Sequence, residues 1–273
     1  MKEDFRRWGF CMSVDELVSK ADDFVNTSLE NYINEKVAIS EALAGVRIFD
    51  APIFGLGSPD DLLFEKFSTQ EVVSEKFLLP RQWLGSAGTV VSFFMPYSHA
   101  VKKSNAEYFS WPSDIWLHAR YEGQMFLLEL AKYLCGLFEE RGAKSVVLAN
   151  DPRFEADDLT SNWSERHVAY ACGLGTFGIS KGLITEKGTC GRFGSIITEL
   201  SFPVTARNYT GIYDYCNNCG DCVENCPTGA ISSEKDKDDL LCSNFLDKTF
   251  EKHNPRYGCG KCQVKVSCES NIP

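Results

Sequence analysis

The chain lacks any run of eighteen apolar residues, so no stretch of it reads as a membrane-spanning helix. It also lacks a basic surplus. Against 38 Asp and Glu there are 28 Lys and Arg, a formal net charge of −10. Nucleic-acid affinity rests on neutralising phosphates. That balance, with no visible Lys/Arg cluster, argues against nucleic acid as a partner. Histidine is scarce: the four present, His99, His118, His167 and His253, share no metal-ligand spacing and read as structural. No apolar signal segment or low-complexity tail is visible, nor any internal repeat beyond two cysteine half-motifs, and the expected location, from the number of free thiols, is the reducing cytoplasm. Cysteine, by contrast, is abundant, at 12 of 273 residues. In a reducing compartment those thiols serve metal or catalysis rather than disulfides.

Their spacing narrows the chemistry. Cys216, Cys219, Cys222 and Cys226, closed by Pro227, form the C-x2-C-x2-C-x3-C-P run of bacterial two-cluster ferredoxins. Three thiolates of such a run wrap one 4Fe–4S cube, and the fourth serves a second cube. The run therefore demands further cysteines, supplied by Cys242, Cys259, Cys262 and Cys268. One cluster is expected on Cys216, Cys219, Cys222 and Cys268, the other on Cys226, Cys242, Cys259 and Cys262. A zinc site would need only four ligands and gives no reason for the third cysteine or the Cys-Pro ending. Cys11, Cys135, Cys172 and Cys190 remain. Cys135 lies on an apolar helical stripe and reads as core packing, and Cys190 as packing or a reactive thiol.

The length allows one full domain and a smaller cluster domain, divided at 1–203 and 204–273. Ser13-Val-Asp-Glu16 predicts a capped helix carrying Leu17, Ala21 and Val25 on one face. Short strands are expected at 46–49, 89–95, 145–149, 183–185 and 195–200, and a loop at 51–57. A helix start is expected at Ser58-Pro59 and a polar connection at 99–112. Met125, Leu128, Ala131, Leu134 and Phe138 predict a long helix ended by Gly142. Helix and strand alternate, which argues for a layered fold containing both.

Gly173-x-Gly175-x-x-Gly178 matches the dinucleotide fingerprint as a string but not in context, since a helix precedes it and a strand follows. It reads either as a tight turn for close helix–sheet packing or as a backbone-lined surface for a large planar cofactor.

Glu165-Arg166, Cys172-Gly-Leu-Gly-x2-Gly178, Leu183-Ile184 and Phe193-Gly194 precede the cysteine run and Tyr257-Gly-Cys259-x2-Cys262. Over residues 85 to 268 this order resembles epoxyqueuosine reductases, relatives of the reductive dehalogenases; Ala119-Arg120-Tyr121 is a weaker match. The resemblance implies an α+β sandwich like that of nitroreductases and cobalamin-processing proteins, followed by a two-cluster ferredoxin-like domain. It also implies a base-off cobalamin fed by the clusters, an external low-potential electron donor, and reductive removal of an oxygen or halide. Absence of a D-x-H-x-x-G motif agrees with a base-off cofactor without a histidine lower ligand. In the family, Gly173, Gly175, Gly178, Ser180, Lys181, Thr185, Arg192, Phe193 and Gly194 occupy positions lining the corrin.

Asp151, after the strand at 145–149, matches the family's proton donor, with Asp157 and Asp158 as rivals; Asn-Asp-Pro is equally an ordinary turn. Glu165 and Arg166 are cofactor contacts or a helix-start pair, and Tyr97, Tyr108, Trp111 and Trp116 roof a pocket or fill a core. No counterpart of the family's helical-repeat domain after the clusters is expected. The expected function is therefore reduction of a small molecule or modified nucleoside. The alternatives are an electron carrier for a corrinoid and true epoxyqueuosine reduction on tRNA.

Overall fold

In a computed structural model describing residues 12–157 and 159–273, Ser13 opens α1 (Val14–Thr27), its hydroxyl accepting the Glu16 N–H at 3.1 Å. Cys11 and Asp158 lie outside the described residues, as does the Asp157 side chain. The expected strand at 46–49 reduces to isolated bridges, Tyr32 to Arg47 and Phe49 to Tyr97. Its place is taken by β1 (Ile53–Gly57), where a loop was expected: Gly55 and Gly57 let this strand pass against the Cys172 backbone and thiol. The next helix, α2 (Leu62–Phe67), starts later than Pro59 because Asp61 supplies the cap, accepting from the Leu63 N–H at 3.0 Å.

A single turn, α3 (Pro80–Trp83), leads to β2 (Thr89–Pro96), in which every residue is buried. The polar connection contains α4 (His99–Ala106), capped by Ser98. After it, α5 (Asp114–Glu139) begins eleven residues before the first apolar position used to predict it, at the Ser113 cap. Then come β3 (Ser145–Val147), the small pair β4 (Ala156–Asp157) and β5 (Thr160–Ser161), α6 (Glu165–Ala171), the hairpin β6 (Gly175–Phe177) and β7 (Leu183–Thr185), and β8 (Gly191–Thr198). The main sheet has the order β1-β2-β8-β3 and is antiparallel throughout.

Both faces of this sheet are covered, which is why β2 is apolar without alternation. Val91, Phe93 and Met95 share a core with Phe126, Leu130 and Leu134 of α5. Val90, Phe94 and Ile197 share another with Val168 and Ala169 of α6 and with Trp163. The arrangement is a mixed helix-and-sheet fold of the α+β kind.

The two sides of β8 are unequally paired. It runs beside β2 along its whole length, but β3 reaches only Ile196–Thr198. Residues 191–195 therefore present a strand edge with no strand partner. Gly194 lets α5 come close there, since a Cβ would lie 2.5 Å from the Phe93 ring and 2.9 Å from Leu127.

The cysteine-rich part has little regular structure beyond α7 (Asp221–Glu224) and α8 (Asp239–His253), the latter carrying Cys242. Its own small apolar cluster is Cys222, Ile231 and Val266. Among the described residues no helix is long and apolar enough to cross a membrane.

Candidate functional site

A cavity of about 710 Å³ lies between the sheet and the cysteine-rich part. One wall is the open edge of β8, Gly191 to Ser195, with Gly182, Leu183 and Glu165 beside it. Another is α5, through Arg120, Gln124, Leu127 and Leu128. The opposite wall carries Cys226, Cys242, Cys259 and Cys262. A separate small hollow is lined by Cys216, Cys219, Cys222 and Cys268, with Gly178 and Ser180. The eight cysteines thus fall into two groups, each around its own space. Within each group the thiols lie close enough to influence one another electrostatically. Among the described residues no three His, Cys, Asp or Glu side chains converge on one metal ion. A cube takes one thiolate per iron, so its four ligands stand apart around it.

The spacing of Cys216 to Cys226 produces this split locally. Gly220, at φ +86°, turns the chain into α7, and Cys222 points inward and is buried. Cys226 then faces away toward the large cavity, where α8 brings Cys242 and the 259–262 segment brings the last two.

The large cavity holds an unusual share of unpaired polar atoms. Seven buried side-chain N or O atoms among the described residues have no hydrogen-bond partner, and four of them belong to its lining: Trp116 Nε1, Glu165 Oε2, Thr189 Oγ1 and Arg192 Nε. Buried polar groups are normally paired, so this concentration marks a place where a ligand or ordered water supplies the partners.

Glu165, the first residue of α6, places a carboxyl in the cavity lining. Burial pushes its carboxyl up to about 7, against the opposing pull of the Ser195 hydroxyl and the Arg192 charge. Ser195 is itself fixed by the Trp163 indole, which donates to its hydroxyl at 2.9 Å. Arg166, exposed by area yet lining the cavity, donates to the Lys181 carbonyl and senses Cys262, Asp239 and Cys242.

Of the residues singled out in the sequence, Arg192, Phe193 and Gly194 line the large cavity; Gly178 and Ser180 line the small hollow. Gly173, Gly175, Lys181 and Thr185 line neither. Gly173 ends α6 at φ +87°, and a Cβ on Gly175 would lie 1.9 Å from the Ile184 carbonyl oxygen. Gly173 and Gly175 thus meet tight backbone requirements, whereas Gly178 borders the hollow of Cys216. Lys181 pairs with Asp239 at 2.5 Å, and the Thr185 hydroxyl donates to the Gly188 carbonyl.

Asp151 also stands apart. Its carboxylate accepts two N–H groups of the Arg153 side chain, at 2.8 and 2.6 Å, and that pairing holds it below the usual aspartate range. In this arrangement it carries no proton at neutral pH and lies outside the cavity lining. Tyr97 and Trp116 line the cavity, whereas Tyr108 is exposed and Trp111 packs on Phe245. Cys172 and Cys190 are fully buried with their thiols pushed up by burial, as plain packing residues are. Gln124, Thr189 and Tyr257 carry no site signal in the sequence, apart from the place of Tyr257 two residues before Cys259.

The match to known proteins follows the same outline. Residues 209–232 match the model of the 4Fe-4S binding domain. The chain is 33% identical over 124 residues to an epoxyqueuosine reductase of Listeria monocytogenes, covering 42% of this chain and 32% of that protein. It is 26% identical over 222 residues to the epoxyqueuosine reductase of Bacillus subtilis, covering 74% and 51% respectively. The structure of an epoxyqueuosine reductase with an epoxyqueuosine-modified tRNA-Tyr stem loop superposes with a TM-score of 0.57 at 18% identity, covering 93% of this chain and 64% of that one. The chain thus resembles epoxyqueuosine reductases in sequence and shares their fold, while spanning a third to a half of the curated relatives it matches.

Proposed function

We propose that this chain is an iron–sulfur reductase that removes the epoxide oxygen from a modified nucleoside in tRNA, using two 4Fe–4S clusters and a cobalamin held in the large cavity. The observation that carries this reading is the cavity itself. One wall brings four cysteines together, and the facing wall is an open strand edge flanked by an uncharged-prone acid and two arginines.

The cavity residues fit such a cofactor. The unpaired edge at 191–195 offers main-chain N–H and C=O groups to the amides around a corrin, and Leu127, Leu128, Leu183 and Phe193 offer apolar surface to its faces. Cys226, Cys242, Cys259 and Cys262 would hold the nearer cluster, and Cys216, Cys219, Cys222 and Cys268 the farther one. When bound, these groups supply strongly reducing single electrons to the substrate.

The rest falls to the chain's own side chains. Glu165, raised to about 7, exchanges its proton near neutral pH and has Oε2 unpaired in the cavity lining, and the Trp163–Ser195 hydrogen bond fixes the hydroxyl beside it. Removing an epoxide oxygen as water takes two electrons and two protons, and Glu165 is placed to give one of these.

This reading reverses the charge-based expectation against nucleic acid. The total of −10 describes the whole surface, whereas Arg120, Arg166 and Arg192 gather in the cavity. The test is anaerobic reconstitution with iron, sulfide and cobalamin, followed by an epoxyqueuosine-bearing stem loop and a one-electron reductant. Retained corrin absorbance and loss of one oxygen from the nucleoside are expected. Cobalamin washed out on desalting would sink the cofactor assignment; retention without oxygen loss would sink the substrate.

A further inference from the structure

Arg120 and Arg192 are two guanidinium groups in one cavity with no carboxylate on either. None of the ion pairs among the described residues includes them. Arg120 donates to the Tyr257 hydroxyl at 2.9 Å, and Arg192 donates to the Gln124 side-chain carbonyl, so both lean on neutral partners. They also lie near each other: burial and the Arg192 charge together bring Arg120 down to about 10. The carboxyl of the cavity lining, Glu165, feels the Arg192 charge but makes no ion pair with it, and at about 7 it is only partly ionised at neutral pH. Nor are the cysteines the evident counter-charge, because the arginine that senses Cys262 and Cys242 is Arg166.

Two orphaned atoms sharpen the requirement. Trp116 is 3% exposed and Arg192 Nε is buried, and neither N–H has an acceptor. Both groups can only donate, so whatever completes them must accept. Buried positive charge without a partner is costly, and a bound anion removes that cost.

We propose that Arg120, Arg192 and Trp116 form a subsite for a phosphate ester. Their donors come from two elements, α5 and β8, that line one cavity, and three separate donor groups suit the several oxygens of a tetrahedral oxyanion better than the two of a carboxylate. The source of the phosphate, though not the subsite, rests on the function proposed above: it belongs either to the nucleotide tail of the corrinoid or to the nucleic-acid substrate.

The test begins with cluster-loaded protein and inorganic phosphate in a calorimetric titration. Phosphate binding that chloride does not displace is expected, weakened at least about tenfold in Arg120→Gln and in Arg192→Gln, as loss of a charged hydrogen bond implies. Iron content and cluster absorbance report folding, and the second variant, on a different element, covers a failure of the first to fold. Phosphate that binds no better than chloride, or variants that bind it as the parent does, would overturn the proposal. Two further arms identify the source. If Arg120→Gln weakens cobalamin but not cobinamide, which lacks the nucleotide tail, the corrinoid supplies the phosphate. If both corrinoids bind unchanged and the stem loop binds less tightly, the substrate does. Failure to retain any corrinoid would count against the proposed function and leave the phosphate titration to stand alone.

Discussion

Arg120 stacks over the Tyr257 ring, its guanidinium carbon 4.6 Å from the ring centroid, while also donating to the hydroxyl of the same tyrosine. This contact joins α5 to the segment that carries Cys259 and Cys262. Beside it, Arg256 pairs with Glu122, which His118 also contacts at 3.2 Å. Tyr257→Ala should loosen that segment by about 1–2 kcal/mol, through the lost cation–π contact and hydrogen bond. The readout is faster loss of iron to a chelator. Tyr257→Phe keeps the stack and should show the smaller change.

The division of cysteines predicts separable iron sites. Cys242→Ser and Cys268→Ser should each cost about half of the reconstituted iron, since each removes a ligand from a different cube. Cys135→Ser, a buried helix position outside both groups, should keep the full amount. Iron analysis with electron paramagnetic resonance of the reduced protein distinguishes these outcomes; equal spectra for the first two variants would contradict two distinct sites.

Glu165 and Asp151 make opposite pH predictions. With Glu165 raised to about 7, turnover should decline as pH rises through that value, and Glu165→Gln should abolish the step. Asp151→Asn should preserve it, because Asp151 is already ionised by its Arg153 pairing. The reverse pattern would return the donor role to Asp151. Stability follows the same sign. The folded state holds the Glu165 proton more tightly than the unfolded chain does. Its contribution is therefore greatest below the ordinary glutamate range and is lost as pH rises toward about 7. Glu165→Gln should flatten that loss in thermal unfolding.

Two glycines should respond oppositely to alanine. Gly136, inside α5, has open space where a Cβ would stand, so Gly136→Ala should raise stability by about 0.5–1 kcal/mol through helix propensity. Gly175→Ala would drive a methyl into the Ile184 carbonyl and should cost upwards of about 3 kcal/mol, splitting the β6–β7 hairpin. Thermal midpoints of the two variants check both signs.

Elements whose signals are local were legible in advance: the Ser13 cap, the apolar run of β2 and the α5 stripe each depend on neighbours within a few residues. Misplaced elements were those settled by distant contacts. Gly55 and Gly57 look like loop residues until Cys172 lies across them, which makes 53–57 a strand. Residues 46–49 look like a strand yet have only two isolated bridges to pair with.

By itself, the sequence determined the cysteine chemistry, because a cube's ligands are set by spacing along a few residues and by the proline that ends the run. Only the tertiary structure decided which residues share a cavity with those cysteines. Arg120 and Tyr257 stand 137 residues apart in the chain, and Glu165, Arg192 and Trp116 arrive from three further positions. No local pattern encodes their meeting, since it depends on how α5, α6 and β8 pack and on β3 ending after three residues. The same packing gave the glycine block its role. Of that motif, Gly175 brings two backbones together and Gly178 borders the small cysteine-lined hollow, while the large cavity opens at the strand edge beyond it.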